Sequence, residues 1–546
     1  MRVSVLAALA AAMALVGCGS SNSSSSSSGS TGGSTTTTTT TTTTSSSTSS
    51  TSTSSSSTGG SSGSTSSSSS SSSGSTGSGS TSGSSGSGSG SSGSTGANLC
   101  ANYPQPCVAF VSGVDDENSI NAGMATATDG TTFVFSAGSF TFQNSLNVPQ
   151  AMNNITLVGA GMGQTTLDFS NQVAGSDGID VIGGTGITFQ GLTVLNAAQN
   201  AIKVLNSTNV IFEAVETTWT NVADPNNGPY GVYPVGVTNV LIEGCHIVGA
   251  SDSGVYVGQS NNIVVRSNVV EGNVAGIEIE NSFNADVYNN NTHDNTAGLL
   301  VFDLPNLQQQ GGHDVRLFNN TVVNNNTSNF GRSGDIVSIV PAGSGVILMA
   351  NHNDEVFGNT ITGNHTAAIG VISYYVSQIP VTDPNYYPFP YNDAIHDNFV
   401  DGNGAAPSAN PAQPIGFLLA NANTNHQFTG GHVVDELYDG ILDPNFPTDV
   451  GFTLPLPDAG IDTTNNPMVI CFSNNGGDGG AATFGNLHLD QLQIYVQFPD
   501  GGFNPGWDGG PASNVGDIVS QDETPYSCVL PAVTSQAGGW LDDGGP

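Results

Sequence analysis

From Thr238 to Asp303 the chain repeats one pattern of apolar and polar positions three times: TNVLIEGCHIVGASDSGVYVGQS from Thr238, NNIVVRSNVVEGNVAGIEIENS from Asn261 and FNADVYNNNTHDNTAGLLVFD from Phe283. The starts lie 23 and 22 residues apart. Each unit has a short alternating apolar run, a polar turn, the phrase x-Gly-apolar-x-apolar and a Ser or Asn turn. A unit this short cannot bury its apolar face alone and must stack on its neighbours. With strand-length runs and no helical spacing, the pattern predicts an all-β solenoid: a single-stranded parallel β-helix whose coils hydrogen-bond at a rise of about 4.8 Å.

Alternation assigns the side chains. Ile242, Val265, Val287, Leu317 and Val356 should point inwards, as should Val255/Val257, Ile277/Ile279 and Leu299/Val301. Aligned coils also expose two polar series, Asn268, Asn290, Asn320, Asn359, Asn398 and Asn273, Asn295, Asn325, Asn364, Asn403. Amides stacked at strand spacing can bond one another and the turn backbone, so these read as structural ladders, with Cys245 in the equivalent place one coil earlier.

Regular coils are expected to begin near Thr185, Thr208, Thr238, Asn261, Phe283, His313 and His352. Asn221–Gly231, Pro305–Gly312 and Asn326–Gly334 lengthen three of them, and more inserted sequence follows Ile339 and Tyr374; in a solenoid such insertions become outer loops that fence a binding face. Ahead of the coils, Glu117–Thr128 should form a short helix capping the open end, with an N-terminal cap over 97–132 and the β-helix over 133–403. Residues 404–546, with strands such as Met468–Phe472 and Leu487–Phe498, should hold degenerate last coils and an irregular C-terminal cap.

Composition places this solenoid outside the cytoplasm. The 546 residues carry 5 Lys+Arg against 42 Asp+Glu, a formal net charge of −37. That excludes nucleic acid, whose phosphates need bases to displace counterions, and disfavours an anionic membrane surface. Residues 1–18 read as a signal peptide: Arg2, an apolar run from Val3, then Leu15-Val16-Gly17-Cys18. Small residues before a lone Cys resemble a bacterial lipoprotein signal, which implies lipidation of Cys18 and an exported protein anchored in the outer membrane. Residues 19–96 are almost wholly Ser, Thr and Gly and are expected to be a disordered tether, with a span of about 50 Å. In an oxidising compartment the remaining cysteines suggest disulfides Cys100–Cys107 and Cys471–Cys528, leaving Cys245 free. A monomer is the default.

Candidate chemistry lies on the outward positions. On the first strand these run Gln190, Glu213, Glu243, Arg266, Tyr288, Phe318, Phe357, beside Asp286, Arg316, Glu355, with each Arg one coil from a carboxylate. On the second they run Lys203, Tyr233, Tyr256, Glu278, Leu300, with Glu280 and Asp303 beyond, and Lys203 has no acidic neighbour one coil away in this ladder. An enzyme would use Lys203, Tyr233, Tyr256 and Glu278 in a groove between the Asn221–Gly231 and Pro305–Gly312 loops. Lys203 or Tyr256 would move a proton, once neighbours had lowered a pKa near 10, with Glu278 as the paired acid. Glu243, Arg266, Glu280, Tyr288 and Asp303 would hold substrate. His246 and His293 read as turn residues. No metal-ligand spacing, nucleophile elbow or phosphate loop stands out. The Asp-Gly-Gly triplets at Asp478, Asp500, Asp508 and Asp543 are weak Ca²⁺ candidates, the one cofactor the charge invites.

The order DGTTFVFSAGSFTFQNSLNVPQAMNNITLVGAG resembles the first coil of the pectate-lyase-like superfamily. GPYGVYPV, GASDSGVYVGQSNNIVVRSN, NVAGIEIENSFNADVYNN, DNTAGLLVFDLPNL and PAGSGVILMANHN resemble a family of bacterial right-handed parallel β-helix lipoproteins without an assigned reaction. The resemblance therefore implies fold and handedness but carries over no catalytic set, and the Arg/Lys–Asp and multi-Asp sites of the wider superfamily have no match here. Three functions stand open: a surface-tethered binder of envelope or matrix polysaccharide, a polysaccharide lyase, epimerase or hydrolase, and a structural or protein-partner scaffold.

Overall fold

The computed structural model describes residues 99–542 apart from 174–175, 425–427, 429–430, 452–460, 490–519 and 536. The signal peptide with Cys18, the tether, Asp500, Asp508, Asp543 and most of the strand expected over Leu487–Phe498 lie outside them. Among the described residues no helix is long and apolar enough to cross a membrane.

Each coil gives one strand to each of three sheets, here called A, B and C. Among the described residues these hold 12, 12 and 11 strands, parallel except for one antiparallel pair. One coil supplies Thr238–Glu243 to sheet A, His246–Val248 to B and Ser253–Gly258 to C; the next supplies Asn261–Arg266, Val269–Glu271 and Ala275–Glu280. Ile242 pairs with Val265 and Val265 with Val287, and all three are fully buried. Val255 pairs with Ile277 and Ile277 with Leu299 on sheet C. Burying each such side chain stabilises the stack by about 1.5–3 kcal/mol.

Sheet A strands start at Thr185, Thr208, Thr238, Asn261, Phe283 and His313; the next is shorter, Glu355–Phe357, with His352 in an isolated bridge between His313 and Tyr391. Parallel pairing already begins with Cys107–Phe110 against Thr132–Phe135, and the last sheet A strand is Ile470–Ser473. The helix Glu117–Met124 is capped by Asp116, whose Oδ1 accepts the Ser119 N–H at 2.9 Å. It buries Ile120 and Met124 in the same cluster as Phe110 and Phe133 of the first coils.

Both Asn ladders form. Asn268 Nδ2 donates to Asn290 Oδ1 at 2.9 Å and Asn290 to Asn320 at 3.0 Å, while each acceptor oxygen also takes a backbone N–H of the preceding coil. The second ladder runs from Asn273 to Asn295, 2.9 Å, and on to Asn403. Cys245 ends the first, its N–H donating to Asn268 Oδ1 at 2.9 Å. A third ladder, absent from the sequence reading, links Asn209, Asn239, Asn262 and Asn284 at 2.7–3.0 Å. These four sit at φ 55–67°, the left-handed region that Asn tolerates. Both expected disulfides are present, with Cα separations of 5.9 and 5.0 Å, and Cys245 is buried and free.

Candidate functional site

Sheet C brings the expected catalytic residues onto one face. Asp180, Lys203 and Tyr233 are aligned on successive coils, and Tyr256 is aligned with Glu278 and then Leu300. Tyr230, Tyr233 and Tyr256 pack together with ring centroids 4.4–5.0 Å apart, so their faces cover one another.

The groove expected here is closed. Tyr256, Glu278, Glu280 and Asp303 are only 6, 1, 5 and 0% exposed. The insertions carry their own apolar residues: Val337, Val340, Tyr374 and Tyr386 pack on Leu300, Phe302, Ile347 and Met349. Tyr386 also donates its hydroxyl to the Asp303 carbonyl at 2.5 Å. Arg332 of the 326–334 insertion donates to the Asn227 carbonyl at 2.6 Å, so that insertion meets the 221–231 insertion. Burial of side chains on the inserted segments is worth more than leaving the face wet.

Lys203 is corrected as well. Asp180, one coil back, lies 3.3 Å from its Nζ, and Asp177 lies at 2.5 Å. Burial pulls the Lys203 pKa down, but the hydrogen bond and charge of Asp177, with Asp180, outweigh it and leave the pKa raised. Burial, followed by the charge of Glu280, lifts Tyr233 to about 12 and Tyr256 well above its ordinary value. Both shifts oppose the lowering that a proton-abstracting Lys or Tyr requires.

The cluster holds protons instead. Ser253 Oγ contacts Asp252 Oδ1 at 3.0 Å and, by a shorter contact, Glu278 Oε2. A hydroxyl has one proton to donate, so a neutral carboxyl on one side satisfies both contacts. Burial is the main cause that lifts Asp252 and Asp303 to about 7, Glu280 to about 8 and Glu278 well above its usual range. Tyr256 donates to Glu280 Oε1. Among the described residues the one group of three carboxylate or imidazole donors close enough to share an ion lies on sheet B, and Asp478 has no part in it.

Sheet A presents the other outward face. Gln190 Nε2 donates to Glu213 at 3.0 Å, and Glu213 is aligned with Glu243. Arg266 bridges Glu243 Oε2 at 2.8 Å and the Tyr288 hydroxyl at 2.9 Å. From Tyr288 a stack continues through Phe318, Phe357 and His396, with centroids 4.7, 5.1 and 5.4 Å apart and rings within 9° of parallel. Stacked this way, the column offers ring rims rather than ring faces to solvent. These residues are partly exposed.

The neighbouring outward column is covered in part. Cys528, bonded to Cys471, starts a C-terminal strap that runs back along sheet A. The Val533 N–H donates to Glu355 Oε2 at 3.2 Å, and Ala537, Trp540 and Leu541 pack on Ile211, Leu241 and Val264. Between strap and stack lies a cavity of about 180 Å³ lined by Glu355, His396, Asp397 and Ser473 on one side and Val529, Leu530 and Ala532 on the other. Both His396 nitrogens face carboxylates, Glu355 Oε1 at 3.1 Å and Asp397 Oδ2 at 2.8 Å. The sequence reading missed this site, because residues 77 apart in the chain, His396 and Ser473, are aligned only once the coils stack.

Residues 177–327 match the family described as Right handed beta helix region. No curated protein matches the chain in sequence. Among solved structures, the A-module of a mannuronan C-5 epimerase from Azotobacter vinelandii is 14% identical, with 68% of this chain and 94% of that one covered and a TM-score of 0.40. An exopolygalacturonase from Thermotoga maritima is 15% identical over 50% of this chain and 76% of that one, TM-score 0.35. Likeness at this level reflects the coil and says nothing of the site. With the three stacked parallel sheets, the match over residues 177–327 establishes the fold of this chain as a right-handed parallel β-helix.

Proposed function

We propose that this protein binds neutral polysaccharide along the half-open column of sheet A and does not turn it over. The observation that carries the reading is the column from Gln190 to His396, in register over eight coils and partly exposed at every rung. Seven rungs at about 4.8 Å give roughly 34 Å of continuous surface, enough for several sugar rings. Glu213, Glu243 and Arg266 offer acceptors and donors to hydroxyls, and the aromatic rims offer an apolar strip to sugar C–H groups. A net charge of −37 repels uronic chains, which favours neutral glycans. Export and anchoring through Cys18 complete the proposal, holding the binding face at the cell surface on a long tether.

Catalysis on sheet C is the alternative that the test must exclude, since its acids lie under the roof of inserted segments and the pKa values of Lys203 and Tyr256 are raised. Retention on gels containing neutral or uronic polysaccharide, with and without Ca²⁺, tests both. The binder is expected to be retarded by a neutral polymer, about tenfold less in Phe318→Ala/Phe357→Ala, and to be unaffected by Lys203→Ala or Tyr256→Phe. New reducing ends or ultraviolet-absorbing product, lost in those last two variants, would replace binding by catalysis.

A further inference from the structure

Sheet B carries a chain of polar contacts that neither reading uses. Thr193 donates to Glu216 Oε2 at 2.7 Å, and Glu216 Oε1 lies 3.2 Å from His246 Nδ1. His246 Nε2 reaches Glu271 Oε1 at 3.0 Å. The second Glu271 oxygen lies 3.7 Å from His293 Nδ1, which is 2.9 Å from Asp294 Oδ2. Five successive coils are thereby linked, and the last two bring one ring nitrogen and two carboxylates together at a partly open surface.

We infer that Glu271, His293 and Asp294 form a transition-metal site of the Zn²⁺ class. Donor atoms about 2.1 Å from a tetrahedral ion lie roughly 3.4 Å from one another, and the observed 2.9 and 3.7 Å bracket that spacing. A ring nitrogen among the donors selects Zn²⁺ over Ca²⁺, which takes six to eight oxygens. Register does the assembling: Glu271 is aligned with His293 on the next coil, and Asp294, at φ 56°, turns its carboxylate back beside that imidazole. His246 is a positioning residue. It holds one Glu271 oxygen and is itself held by Glu216, the arrangement by which ligating carboxylates are oriented around metals. The ion would clip two coils together and leave a fourth position for water, and the net charge of −37 draws cations to it.

Full-length protein stripped with a chelator is titrated with Zn²⁺ by calorimetry and with Co²⁺ by visible absorption, with circular dichroism confirming that each variant is folded. One equivalent should bind and raise the melting temperature, with a Co²⁺ spectrum of tetrahedral intensity. Glu271→Gln and His293→Gln should each abolish stoichiometric binding, whereas His246→Gln should weaken it about tenfold. Excess Ca²⁺ should not compete. Absence of binding by the wild type, equal binding by His293→Gln, or displacement by Ca²⁺ overturns the site.

Discussion

On sheet C the outward column descends from Lys203 and Tyr233 into Tyr256, Glu278 and Glu280, each step more buried than an exposed β face allows, while on sheet A the column from Glu213 to His396 stays half-open along its length. Both are written in the same alternation, and both place aromatic and acidic residues outward. Insertions separate their fates. Ile336–Ile339 and Tyr374–Ser377 form turns over sheet C and bring Val337, Val340, Tyr374 and Tyr386 down onto Leu300 and Phe302. The strap over sheet A packs on the Ile211, Leu241 and Val264 column and touches its neighbour only at Tyr288 and beside His396, leaving that column partly exposed. Whether an outward β column becomes core or surface is thus decided by what the loops carry.

Equal truncation on the two faces tests that difference most sharply. Leu300→Ala, beneath the roof, should cost about 2–5 kcal/mol by urea denaturation. Phe318→Ala, in the open stack, should cost about 1 kcal/mol, the scale of an aromatic pair. Equal costs would mean that sheet C is no more closed than sheet A. Next in size is the strap: Cys528→Ser removes a link across 57 residues and should lower stability by about 2–4 kcal/mol. Limited proteolysis should then cut within residues 529–542 while the coils stay protected. Cleavage spreading into the stack would show the strap to be part of the core.

A further comparison separates the faces by pH. Burial raises the folded-state pKa of Asp252 and Asp303 from 3.8 to about 7 and of Glu280 from 4.5 to about 8. These acids are favoured neutral in the folded chain, so their stabilisation is complete below the unfolded pKa and is lost as pH rises towards 7–8. Melting temperature should therefore fall across about pH 4 to 8. Glu280→Gln, an amide that cannot ionise, should flatten part of that slope. His246 and His396 are also raised, first by hydrogen bonds to Glu216 and Glu355, and lose their contribution in the same direction as pH rises through their folded pKa. The Glu280→Gln comparison is what isolates the roofed cluster, and an unchanged slope would place its protons elsewhere.

Period and alternation determined much of this protein. They specified the inward columns at Ile242, Val265 and Val287, the two buried Asn ladders and the pairing of Arg266 with Glu243, because each depends only on residues one coil apart in an exact repeat. Repeats carry their contacts with them. Tertiary structure alone decided the rest. Arg332 crosses to Asn227 and Val533 reaches Glu355 over 178 residues, neither of which a 22-residue period encodes. Burial of Glu278 and openness of Phe318 follow from these irregular segments, whose course is set by side-chain packing in three dimensions and leaves no periodic trace in the chain.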